Sequence, residues 1–162
     1  MNDRHSYRLH LEWTGNEGAG TSSVRAYQRD HLVSGGGKRP IEGSSDPAFR
    51  GDATRWNPEE LLVASLAQCH MLWYLHLAAD AGVVVQAYAD TPEGVMVQDA
   101  ADDGGGQFER VKLYPRVTVA SADMVAKAQA LHDDVPALCF ISRSVSFPVE
   151  HVPSATVARV HL

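Results

Sequence analysis

The chain has 162 residues, 44% hydrophobic and 21% charged, an ordinary balance for one soluble globular domain over residues 1–162. A formal net charge of −6 and the lack of any basic run exclude a nucleic-acid surface, and residues 1–7 carry no apolar core of a secretion signal, so the chain reads as cytoplasmic. Two cysteines in a reducing compartment point to buried side chains, metal ligands or redox groups rather than a permanent staple.

From the N-terminus, Tyr7, Leu9, Leu11 and Trp13 alternate with polar residues and predict a half-buried strand over 6–13. Gly15 to Gly20 form a turn. A less regular second strand is expected over 21–30, with His31 to Val33 continuing it. Residues 34–40 are a glycine-rich loop, and 41–54 have loop chemistry throughout, pinned by Phe49 and Trp56.

Residues 55–82 then predict one long helix with both ends marked. Asn57 is the N-cap, Pro58 the first helical residue, and Glu60 takes the capping-box position. Glu59 and Glu60 both complement the positive end of the helix. Gly82 closes it in the left-handed position that follows a helix. Leu61, Leu62, Leu66, Cys69, Leu72, Trp73, Leu75, Leu77 and Ala78 leave almost no polar stripe, which predicts a core helix buried on most sides. Gln68, His70 and His76 interrupt it too often for a membrane span.

Beyond the helix, strands are expected over 83–91, with Val83, Val85, Ala87 and Ala89 on one face, and over 95–98. An acidic turn, 99–106, precedes the most regular strand, 108–121, whose inner face is Val111, Leu113, Val117 and Val119, with Pro115 marking a bulge or an edge. Ser121 caps a second helix over 122–132, Pro136 breaks it, and a further helical turn over 137–142 carries Cys139. Two last strands are expected over 144–151 and 156–162. The order predicts an α+β domain in which helices cover an antiparallel sheet.

On residue chemistry alone, Cys69 and Cys139 are core side chains or redox groups in equal measure. Zinc is disfavoured, because Cys69 and His70 are adjacent and Cys69 and His76 lack a second close pair. No nucleophile-elbow motif supports a serine hydrolase. A peroxide-reducing cysteine must be a thiolate and needs a cation beside it. Cys69 lies too far along the helix for the dipole alone to serve. Arg50 and Arg55, on the loop leading in, are the nearest sources, with Arg25, Arg29 and Arg143 as further candidates. Glu59 or Glu60 would orient such an arginine. Glu59 precedes Cys69 by about 15 Å of helix, so either the arginine spans that gap or Glu59 serves the Cys69 of a second subunit. Plain helix N-terminal charge is the simpler reading of both glutamates at this level.

The segment N-P-E-E-L-L-V-A-S-L-A-Q-C, ending at Cys69, resembles the helix motif of the OsmC/Ohr family of organic hydroperoxide reductases. A-L-C-F-I-S-R-S-V, around Cys139, resembles that family's second-cysteine segment. Order and spacing agree from Trp56 onward, and W-N-P-E-E-L-L with C-H-M-L-W-Y-L-H-L is closer to the OsmC-like branch than to Ohr proper. The resemblance implies an intertwined homodimer, with antiparallel sheets packed around a long central helix and a second helix, and active sites at the interface. It implies that Cys69 is peroxidatic, Cys139 resolving, and Glu59 the partner of the catalytic arginine. In OsmC-type members that arginine lies on the loop before the helix, matching Arg50; in Ohr-type members it lies nearer the N-terminus, matching Arg25. The expectation taken forward is Arg50. His70, in place of an aromatic or small residue, and Val135-Pro136 depart from the family pattern.

The implied chemistry is thiol-dependent reduction of organic hydroperoxides in stress defence. It runs through a Cys69 sulfenic acid and a Cys69–Cys139 disulfide that a dithiol, of lipoyl type in this family, then reduces. No flavin, haem, metal or other cofactor is implied. Met71, Trp73, Phe140 and Phe49 are candidates for an apolar substrate pocket, although Trp73 suits core packing equally well. The alternatives are a non-catalytic dimer that binds a small apolar ligand, and a protein thiol–disulfide oxidoreductase, for which the expected C-x-x-C pair is absent.

Overall fold

The computed structural model of the chain describes residues 3–99 and 105–158, which form two compact units, 1–61 and 62–162. Part of the expected acidic turn and the end of the last expected strand lie outside the described residues.

In the first unit β1 (His10–Trp13), β2 (His31–Ser34) and β3 (Ile41–Gly43) make an antiparallel meander in the order β1-β2-β3. Contrary to the half-buried strand expected, β1 is exposed along its length. The strand expected over 21–30 is a run of turns, because local partners satisfy its backbone. The Ser23 hydroxyl oxygen accepts the Arg25 N–H, and Arg29 donates to the carbonyls of Tyr27 and Val24 at 2.7 and 2.8 Å. β3 occupies a stretch expected to be loop. After it, Asp46 caps a 3₁₀ turn, Pro47–Phe49, which ends on Arg50 with φ 69°.

Helix α1 (Pro58–Asp80) has the ends read from the sequence. The Asn57 side chain accepts the Glu60 N–H at 2.8 Å, and Glu60 reaches back to the Asn57 N–H at 3.1 Å. At the other end Gly82 sits at φ 73°, its N–H on Ala79 O and the Val83 N–H on Ala78 O, the paired bonds of a Schellman motif. Burial follows a single stripe, Leu66, His70, Tyr74 and Ala78, at every fourth position. The expectation of burial on most sides fails: Leu72 is 62% exposed, because the chain's own strands cover only one side of the helix. By length and composition α1 is also apolar enough to cross a membrane.

The second unit holds two three-stranded sheets. One has the order β4 (Val85–Ala89), β7 (Arg116–Val119), β9 (Ser154–Val157); the other β5 (Glu93–Gln98), β6 (Gly106–Leu113), β8 (Val149–His151). The pairs β4–β7 and β5–β6 are antiparallel, but β8 and β9 join β6 and β7 in parallel, so the sheets are mixed. The single strand expected over 108–121 divides at Pro115, which has no N–H to give a ladder, and its halves enter different sheets. The inner face survives the division: Val111, Leu113, Val117 and Val119 are all buried. Val111 and Leu113 pack with Leu66 of α1, and Val117 and Val119 with Tyr74 and Ala78. A bulge between Val85 and Ala87 breaks the alternation expected for β4. The second helix shortens to α2 (Val125–Ala130) between two 3₁₀ segments, Ala122–Met124 and Leu131–Ala137. Pro136 lies in the latter, and Ser121 makes no side-chain cap.

Candidate active site

Cys69, in the fourth turn of α1, packs against the core cluster that contains Cys139. The two thiols interact, and that interaction adds to burial in holding the Cys139 thiol above its ordinary value. Both cysteines are free thiols, Cys139 buried and Cys69 half-buried. The turn after the 3₁₀ segment wraps the second sulfur: Cys139 N–H bonds to Val135 O at 3.0 Å, and Ser142 N–H donates to Cys139 Sγ at 3.3 Å. Burial, with the interaction with Cys69, pushes the Cys139 thiol up to about 11, against a smaller opposing pull from the N–H groups of Ser142 and Ile141.

Of the other expected residues, Glu59 is half-buried in the first turn of α1, and Arg50 is the left-handed residue ending the Pro47–Phe49 turn. Among the described residues Arg50 makes no ion pair. Arg55 is committed elsewhere, to Asp30 at 3.3 Å and Asp52 at 3.6 Å. Arg29 is also occupied, its guanidinium 4.3 Å over the Tyr27 ring. Trp73 meets Phe140 edge-on at 5.9 Å, and Leu72, Trp73 and His76 line an open apolar hollow of about 250 Å³.

Beside the sulfurs lies a group the sequence reading did not assemble. His70 Nε2 and His132 Nδ1 are 2.9 Å apart, both rings buried, and the His132 ring stacks on Tyr74 at 3.9 Å. The His151 ring lies 5.4 Å from that of His70, and its Nε2 meets Asp133 Oδ1 at 3.2 Å. Burial, with the nearby His151 charge, pushes His70 down to about 4; burial, then the charges of His70 and His151, pushes His132 down to about 3. His70 shares the every-fourth-residue spacing of Leu66 and Tyr74, a signal that its reading only as an interruption of the apolar helix passes over. Nothing local marked His132 or His151. Among the described residues no group of three or more His, Cys, Asp or Glu is placed to hold a metal ion.

Several solved structures share this chain's fold at low identity. An OsmC-like protein of unknown function from Vibrio cholerae is 24% identical over 93% of this chain and 99% of its own, with a TM-score of 0.81. Organic hydroperoxide resistance proteins from Elizabethkingia anophelis and Legionella pneumophila are 19% and 16% identical, with TM-scores of 0.63 and 0.60. They match over 98% and 96% of this chain and all of their own. No curated protein sequence matches the chain. The family model described as "OsmC-like protein" matches residues 51–152, which include both cysteines, and the chain belongs to that family.

Proposed function

We propose that the chain is a cytoplasmic, thiol-dependent peroxidase that reduces organic hydroperoxides to alcohols. The observation that carries this reading is that two free thiols distant in sequence, Cys69 and Cys139, are packed together in one core cluster. Cys69, as thiolate, attacks the distal peroxide oxygen; the alcohol leaves and Cys69 becomes a sulfenic acid. Cys139 condenses with it, releasing water, and a dithiol of the lipoyl type reduces the disulfide by exchange. Only a short movement is needed for the second step, since the sulfurs are already neighbours.

In this reading Arg50, oriented by Glu59, supplies the cation that holds the Cys69 thiolate. The commitment of Arg55 and Arg29 to other partners favours Arg50, with Arg25 and Arg143 as alternatives. The active form is a homodimer with its sites at the interface, and the apolar surface at Leu72, Trp73 and Phe140 favours organic over inorganic peroxide. The name of the two hydroperoxide resistance proteins supports the substrate class.

Reduced protein mixed with a small excess of cumene hydroperoxide loses both thiols of each chain, and Cys69→Ser abolishes the loss. Retention of both thiols in the unsubstituted protein rejects the enzyme and leaves a non-catalytic ligand-binding dimer of the same fold.

A further inference from the structure

A small cavity of about 10 Å³, the room one water centre needs, is lined by Cys139. Cys139, Ser142, His70, His151 and Glu150 contribute to its wall, and Leu66 and Leu113 are among the apolar side chains that line it. His151 connects this cavity to solvent: its side chain is 18% exposed, and the Asp133 carboxylate beside it is 82% exposed.

The histidine pair behind the cavity has an assignable tautomer. His132 Nε2 is buried without a partner, and a proton there would be an orphaned donor. His132 therefore carries its proton on Nδ1 and donates to His70 Nε2, and neutral His70 carries its own on Nδ1. The pair is fixed and uncharged. His151, hydrogen-bonded to Asp133, is the one imidazole of the three with access to solvent.

We propose that His151, oriented by Asp133, takes the proton of Cys139 through a water in this cavity when the disulfide forms, with His70 in the cavity wall. The proposal rests on the peroxidase reading. Cys139 must lose its proton to attack, yet its thiol is held near 11 by burial, so its ionised fraction at neutral pH is small without a base. The Cys139 sulfur attacks the Cys69 sulfenic sulfur. The S–S bond forms, the S–O bond breaks, the Cys139 proton passes to His151, and the departing hydroxide takes up one proton to become water. The organic hydroperoxide that made the sulfenic acid supplied the oxidising equivalents. When the dithiol later attacks the disulfide at Cys69, the S–S bond breaks and His151 returns a proton to Cys139. The charged and titratable groups around His151 are Asp133, Glu150, His70, His132 and Cys139.

The test is rapid-quench kinetics on the full chain with excess cumene hydroperoxide. A dimedone-type reagent traps the Cys69 sulfenic acid, and mass spectrometry reads the disulfide. His151→Gln keeps the wild-type rate of sulfenic acid formation but slows disulfide formation about 100-fold at pH 7. Its disulfide rate then climbs about tenfold per pH unit, because only pre-ionised Cys139 reacts, whereas the wild-type profile is flatter. Asp133→Asn, at the surface and without cost to packing, slows the same step by about fivefold. Disulfide formation at the wild-type rate in both variants overturns the relay. So does a slower step with an unchanged pH profile, which marks lost packing. Failure of the wild type to form any sulfenic acid refutes the peroxidase reading itself, a distinct result.

Discussion

His132 is wholly buried, stacks on Tyr74, and shares a hydrogen bond with a second buried histidine. Both rings titrate below the ordinary histidine value, so the unfolded chain binds protons that the folded chain refuses. Stability is therefore full above about pH 6.5, the unfolded value, and is lost as the pH falls toward 4. Between pH 7 and pH 5 the loss is on the order of 2 kcal/mol per histidine, visible against the 5–15 kcal/mol of a typical domain. Urea midpoints at the two pH values read it. His132→Phe keeps the stack on Tyr74 but removes one titrating group. Its stability at pH 7 drops by about 1–3 kcal/mol, from the unpaired His70 nitrogen, while its loss on acidification is about halved. An unchanged slope would assign the acid sensitivity to carboxylates instead. The spacing of His70 from Leu66 and Tyr74 was legible, although the residue reads only as a break in the apolar run. His132 and His151 were not, because their approach depends on where β8 and the 3₁₀ segment come to rest, a long-range outcome.

The ends of α1 were legible because each is decided within four residues. Asn57, Pro58 and Glu60 supply the donors and acceptors of a capping box, and Gly82 supplies a left-handed backbone. Stretches whose structure depends on competition were not. Residues 21–30 have strand-like residues, but Ser23 and Arg29 offer the backbone nearer partners. The helix expected over 122–132 has helical spacing, but its cap is not made and Pro136 follows. Gly82 isolates the cost of one backbone conformation. It sits at φ 73°, and a Cβ there would meet nothing within 4 Å. Gly82→Ala therefore destabilises the chain by about 1 kcal/mol through backbone strain alone. Urea unfolding reads it as a lowered midpoint with an unchanged slope. A neutral result would mean that the Schellman bonds to Ala78 and Ala79 do not hold this end.

Across the whole chain, apolar patterning named the inner face of the strands correctly on both sides of Pro115, yet gave no sign that β8 and β9 pair in parallel. Pairing partners are chosen among segments far apart in sequence, and period-two alternation carries no record of them. The pattern also assigned α1 more burial than the chain provides. Leu72 is 62% and Phe140 66% exposed in the second unit, and Tyr7, Leu9 and Leu11 are exposed in the first. Such surface in water calls for cover, and the dimer inferred above would supply it. Leu72 tests this directly, because it lies on the open side of α1 away from the Leu66–Ala78 stripe. In a two-fold dimer it is removed from water twice. Burying a leucine is worth about 1.5–3 kcal/mol, so Leu72→Glu weakens association by at least about 3 kcal/mol, or 100-fold in Kd. Sedimentation equilibrium at about 10 µM, a concentration at which a stable homodimer stays intact, reads a mass of two 17.6-kDa chains for the unsubstituted protein. The variant shifts toward one chain, while Cys69→Ser stays dimeric. A single-chain mass for the unsubstituted protein would remove the second subunit, and any arrangement in which Glu59 serves the Cys69 of a partner would go with it.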